Sequence, residues 1–168
     1  MKIAIIGYSG AGKSTLAKAL AKKYGCAVLH LDTVQFLPGW EERDRGEARE
    51  MVAQFLDSHD AWVIDGNYSG FCHQQRMEQA DRIVFLNLPR LVCLAGAFRR
   101  YRRFKGGVRD SMAPGCAEKF DAAFVKWILW EGRTSAYRRR YREICRSYAD
   151  KIVICRSRRD IRRAAREI

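Results

Sequence analysis

The sequence predicts an α/β fold on a mainly parallel sheet, and three observations carry that prediction. Strand and helix signals alternate along the whole chain. A short apolar run enters a helix through the glycine-spaced turn IIGYSGAGKST at residues 5–15. Two later strand-like runs end in a carboxylate, Asp32 and Asp65.

The elements follow in order. Residues 2–6 read as a buried strand, and Leu16, Ala17, Leu20, Ala21 and Tyr24 mark a helix by their spacing. AVLHL at 27–31 is a second strand ending at Asp32, followed by a loop through Pro38, Gly39 and Trp40. Ala48, Met51, Val52, Phe55 and Leu56 share one helix face, and AWVID at 61–65 is a third strand stopped by Gly66 and Asn67. A short helix over 71–79 precedes a fourth strand, RIVFLNL at 82–88, closed by Pro89. Leu91, Leu94, Ala95, Phe98 and Tyr101 predict a helix ending in RRYRRF. Residues 105–118 (KGGVRDSMAPGCAE) lack periodicity, and such a segment in a compact domain predicts a mobile lid. Helical spacing resumes at Phe120, Phe124, Trp127 and Ile128, then at Tyr137, Tyr141, Ile144, Cys145 and Tyr148. A fifth strand over 151–155 leads to Ser157-x-x-Asp160, the pattern of a capping box.

The turn at 7–14 carries the clearest chemistry. Gly7, Gly12, Lys13 and Ser14 fit G-x-x-x-x-G-K-[ST], the phosphate-binding P-loop, between a strand and a helix as that motif requires. Backbone N–H groups there converge at the positive end of a helix dipole, and glycine admits both the backbone conformation and a close phosphate. Gly7, Tyr8, Ser9, Gly10, Ala11, Gly12, Lys13, Ser14 and Thr15 form the expected ATP-binding set. Lys13 would meet the β- and γ-phosphates, and the Ser14 hydroxyl would ligate Mg²⁺.

Ligands of open α/β sheets bind beyond the carboxyl ends of the strands. Asp65 is the expected second Mg²⁺ ligand, because Asn87 at the end of the fourth strand is a poor one. Asp32 is the expected group that orients or deprotonates an acceptor. Phe36, Trp40, Gly66, Asn67 and Tyr68 lie on the same edge as acceptor contacts. Arginines answer the charge of a moving phosphoryl group. Arg99 and Arg103, one turn apart before the lid segment, and Arg133 and Arg138 after it, are the candidates. His30, His59 and His73 lack ligand spacing and are assigned no chemistry.

The 168 residues predict one domain with a sizeable core. The six cysteines form no C-x-x-C pair, as in a reduced cytoplasmic protein without a zinc site. No apolar run spans a bilayer, and the chain enters the P-loop directly, so neither membrane anchoring nor a cleaved leader is expected. Charge is uneven: 10 Lys/Arg face 11 Asp/Glu up to Val84, against 22 and 8 afterwards. That asymmetry points to polyanionic partners, whether nucleotide phosphates or nucleic acid.

P-loop, HLD, VIDGNYS, FLNLPR and an arginine-flanked lid, in this order, resemble the adenylate kinase-like nucleotide and small-molecule kinases. LHLDTVQFLPGW and WVIDGNYSG resemble most the group known as DNA topology modulation proteins. The likeness spans nearly the whole chain. It implies a three-layer P-loop NTPase fold over 1–168, with a five-stranded sheet in the order 2-3-1-4-5, a lid insertion and Mg-ATP as donor. Asn67, Tyr68 and Ser69 replace the proline–arginine that helps such kinases bind a monophosphate, which argues against AMP as acceptor. The expected activity is phosphoryl transfer from ATP to a small acceptor. Two alternatives stand beside it: a nucleotide-dependent DNA- or RNA-binding protein gripping phosphates through its basic half, and a polynucleotide kinase.

Overall fold

A computed structural model describes all 168 residues. Its sheet holds five parallel strands in the order β2-β3-β1-β4-β5. The strands are β1 (Lys2–Gly7), β2 (Ala27–His30), β3 (Trp62–Asp65), β4 (Arg82–Leu86) and β5 (Ile152–Cys155). Every residue of β3 and all but the first of β1 and β4 are buried. Neighbouring strand residues point to opposite faces, so both faces of the sheet are covered, and an unbroken apolar run is the outcome.

The helices are α1 (Lys13–Tyr24), α2 (Leu31–Gln35), α3 (Arg45–Ser58), α4 (His73–Gln79), α5 (Arg90–Phe104), α6 (Ala122–Leu129), α7 (Ser135–Ser147) and α8 (Arg158–Glu167). Leu16, Ala17, Leu20 and Ala21 bury one face of α1, and Gly25 ends that helix in the left-handed conformation. The Ser157–Asp160 capping box forms and opens α8. One core of 33 residues joins the sheet to its helices.

One expectation is corrected. The second strand stops at His30, and α2 starts at once, so Asp32 lies in the first turn of a helix and not at the end of the strand. Residues 105–118 contain turns only, yet they are docked. Met112, Ala113 and Cys116 form a second small core against Phe36 and Trp40. Single anchoring residues leave no periodicity, so the sequence pattern gives no sign of this docking.

Candidate functional site

The P-loop bends away from β1 at Gly7 (φ 140°), where a Cβ would sit 2.5 Å from the Leu86 carbonyl oxygen, so only glycine fits. Lys13 opens α1 and turns back along the loop. Its Nζ donates to the carbonyls of Gly7 (3.0 Å) and Tyr8 (3.2 Å). Burial lowers the pKa of this amine, opposed by Asp32 and Asp65.

Ser14 and Asp65 meet as the sequence suggests. The Ser14 hydroxyl donates to Asp65 Oδ2 at 2.9 Å. The other carboxylate oxygen pairs with Nδ1 of His30, and both side chains are buried. Sequence reasoning missed His30, since a lone histidine on a strand has no ligand spacing. Two hard oxygens beside Lys13 suit Mg²⁺, which takes few protein ligands and completes its shell with water and phosphate oxygens.

Lys13, Ser14 and the outer P-loop residues Tyr8, Ser9, Gly10, Gly12 and Thr15 line a cavity of about 840 Å³. Gly7 and Ala11 are buried beneath it. Asp32, Phe36, Trp40, Gly66, Asn67 and Tyr68 line the same cavity. Asp32 Oδ1 accepts from the Tyr68 hydroxyl at 2.9 Å. Burial first, and Asp32 second, push the Tyr68 pKa far up, so this phenol stays a donor. Tyr68 stacks on Phe71 at 5.1 Å, and the fully buried Arg76 holds both residues by their carbonyls, each at 2.7 Å. Trp40 sits at φ 69°, rare for a non-glycine residue. Its N–H groups are tied to Cys116 Sγ (3.3 Å) and to the Ala117 carbonyl (3.2 Å).

The arginines differ from expectation. Arg99, Arg103 and Arg138 are exposed and lie outside the cavity wall. Arg133 is buried in the protein interior: its guanidinium lies 3.7 Å from the Tyr8 ring centroid and donates to the carbonyls of Leu88 (3.0 Å) and Ile128 (3.2 Å). The wall is formed instead by Arg100, Arg109 and Arg140. Glu118, itself buried, accepts from Arg100 Nε (2.9 Å) and pairs with Arg109, whose Nη2 lies 3.7 Å from Asp32. The docked segment is thereby joined to both α5 and α2. From the far side, Arg158 donates to the Ala11 carbonyl (2.9 Å) and Trp127 Nε1 to Ser9 Oγ (3.3 Å).

Helical phase identifies the inward arginines. On α5, buried Cys93 and Ala97 continue to position 100, whereas 99 and 103 fall off that face. On α7, Tyr141 and Ile144 set a face that Arg140 borders.

No family model matches the chain. Two relatives do. The shikimate kinase of Thermobifida fusca (strain YX) is 35% identical over 96 residues, 50% of this chain and 56% of that protein, so this match spans little more than half of the relative. The shikimate kinase of Phocaeicola vulgatus is 31% identical over 140 residues, 76% of this chain and 75% of that protein. Among solved structures, the shikimate kinase of Acinetobacter baumannii in complex with shikimate superposes with a TM-score of 0.59 at 16% identity, covering 99% of this chain and 89% of that one. The deoxyadenosine kinase of M. mycoides, with products dCMP and dCDP bound, gives 0.55 at 13% identity, covering 99% and 95%. These structural likenesses establish the P-loop kinase fold.

Proposed function

Because the chain belongs to the shikimate kinase family of ATP-dependent small-molecule kinases, we propose that it phosphorylates a hydroxyl of a small acceptor held between Asp32 and the P-loop. One observation carries the reading: a single cavity is lined by Lys13 and Ser14 together with the Asp32–Tyr68 pair. Mg²⁺ held by Ser14 and Asp65 would neutralise the β- and γ-phosphate oxygens. Lys13 leaves its carbonyl partners for those phosphates. Asp32, oriented by the Tyr68 hydroxyl, takes the proton of the acceptor hydroxyl as its oxygen bonds to the γ-phosphorus and ADP departs. Arg100 and Arg109 face the same space and offset the charge that develops.

The cavity is also lined by Arg45 and Arg140, neither of them in a salt bridge. A carboxylate and ring hydroxyls would meet these arginines and Asp32, so a small hydroxylated acid such as shikimate is the first acceptor to try. The test is a coupled ADP-release assay with shikimate, nucleosides, sugars and DNA 5′ ends. Acceptor-dependent turnover is expected from a small hydroxylated compound. Asp32→Asn should lower kcat by about 10²–10⁴-fold with Mg-ATP affinity unchanged. ADP release that no acceptor accelerates would overturn the proposal.

The rival reading, DNA binding of the topology-modulation kind, draws on the exposed arginines of α7 and α8, among them Arg139, Arg142, Arg159 and Arg162. Under the kinase reading, duplex DNA binds with a Kd of roughly 10⁻⁴–10⁻⁶ M at physiological salt and without sequence preference. Nanomolar binding undiminished by Mg-ATP in fluorescence anisotropy would favour the rival.

A further inference from the structure

We propose that Asn67 is a positioning residue of the P-loop, whose side-chain amide replaces the missing next peptide of β3 and keeps the Gly7 carbonyl paired when Lys13 moves to the phosphates. The inference rests on the kinase reading of the loop. It begins from the β-ladder. Ile5 pairs with Asp65, and the Gly66 N–H donates to the Ile5 carbonyl at 3.1 Å. In a parallel ladder the next residue of β1 to bond on this side is Gly7, two positions on, and a continued β3 would offer it the carbonyl of residue 66 as acceptor and the N–H of residue 68 as donor. The chain is no longer there to supply them, because Gly66 turns it away at φ 141°.

The Asn67 side chain supplies both. Its Oδ1 accepts from the Gly7 N–H at 3.0 Å, and its Nδ2 donates to the Gly7 carbonyl at 2.6 Å. A primary amide offers the same donor and acceptor as a peptide, and only one orientation of the amide satisfies both groups of Gly7. Aspartate lacks the donor, and serine is too short to bridge both groups. Arg140 of α7 fixes the clamp from behind by donating to the Asn67 carbonyl at 3.1 Å.

The functional consequence comes from sharing. The Gly7 carbonyl accepts from Lys13 Nζ as well as from Asn67. When a triphosphate draws Lys13 away, a carbonyl with no second partner would be left unpaired at a part-buried position, at a free-energy cost. Asn67 removes that cost and holds the loop in the shape that receives the phosphates.

The test combines amide hydrogen exchange at Gly7 with calorimetry of Mg-ATP. In Asn67→Ala, exchange at Gly7 should accelerate while Ile5 stays protected, and Mg-ATP should bind about tenfold or more weakly. The isosteric Asn67→Asp fills the same volume should the alanine variant fail to fold. It should keep Gly7 protected, since a carboxylate still accepts, yet bind Mg-ATP as weakly as the alanine variant. Unchanged Gly7 exchange in Asn67→Ala, or Mg-ATP affinity within twofold of wild type in either folded variant, would overturn the proposal. Failure of the wild type to bind Mg-ATP would instead overturn the kinase reading, whatever Gly7 exchange shows.

Discussion

A cluster of arginines in a sequence gives no hint that one of them is structural, and Arg133 is the case in point. Its charge has no carboxylate partner; the Tyr8 ring and the carbonyls of Leu88 and Ile128 take that place. Arg133→Met fills a similar volume but leaves those carbonyls without their donor and removes the cation from the ring. Urea unfolding should show a loss of about 2–3 kcal/mol at an unchanged m-value. Arg138→Ala, on the exposed face of the next helix, should change stability by less than about 0.5 kcal/mol. At this scale the sequence was informative where spacing constrains geometry. The P-loop spacing brought Lys13 and Ser14 together, and a strand-end position brought Asp65 to them. It was uninformative where one member of a run had to be chosen, although the phase of the buried positions on α5 and α7 separates Arg100 and Arg140 from the neighbours the sequence reading picks. His30 carried no such signal, because its partner Asp65 lies 35 residues away and only the β2–β3 register joins them.

Among the elements, the strands were legible because burial on both sides makes them continuous apolar runs, and their order matches the one implied by the family resemblance. The segment between α5 and α6 was not. It is held by Met112, Ala113 and Cys116 against Phe36 and Trp40, and by Glu118 between Arg100 and Arg109. Each anchor is a single long-range contact that no local pattern announces. Glu118→Gln takes away the negative charge facing two guanidinium groups. Trypsin should then cut after Lys105 or Arg109 about tenfold faster than in wild type. Turnover should fall with it, because Arg100 and Arg109 lose the group that aims them. Equal cleavage rates would show that the apolar anchors alone hold the segment.

For the whole molecule, pH acts through His73 at the start of α4. Burial, then the charges of Arg76 and Arg140, lower its pKa from 6.5 to about 4. The unfolded chain takes up a proton below pH 6.5 that the folded chain refuses until about pH 4. Stability from this residue is therefore fully present above pH 6.5 and declines between 6.5 and 4, by about 2 kcal/mol once partial exposure is allowed for. His73→Gln should flatten the stability curve in that window and leave it unchanged above it, as read by urea midpoints across pH. A variant curve parallel to wild type would place the acid sensitivity elsewhere. The tryptophans have a bearing on experiment. Trp40 lines the cavity near Phe36 and Trp127 lines it over Ser9, while Trp62 is sealed in the core and Trp130 is exposed outside the cavity lining. Under the proposed function each substrate would arrive beside its own indole. With Trp130 and one or the other of Trp40 and Trp127 changed to phenylalanine, intrinsic emission becomes an optical record of which ligand enters first, without any added dye.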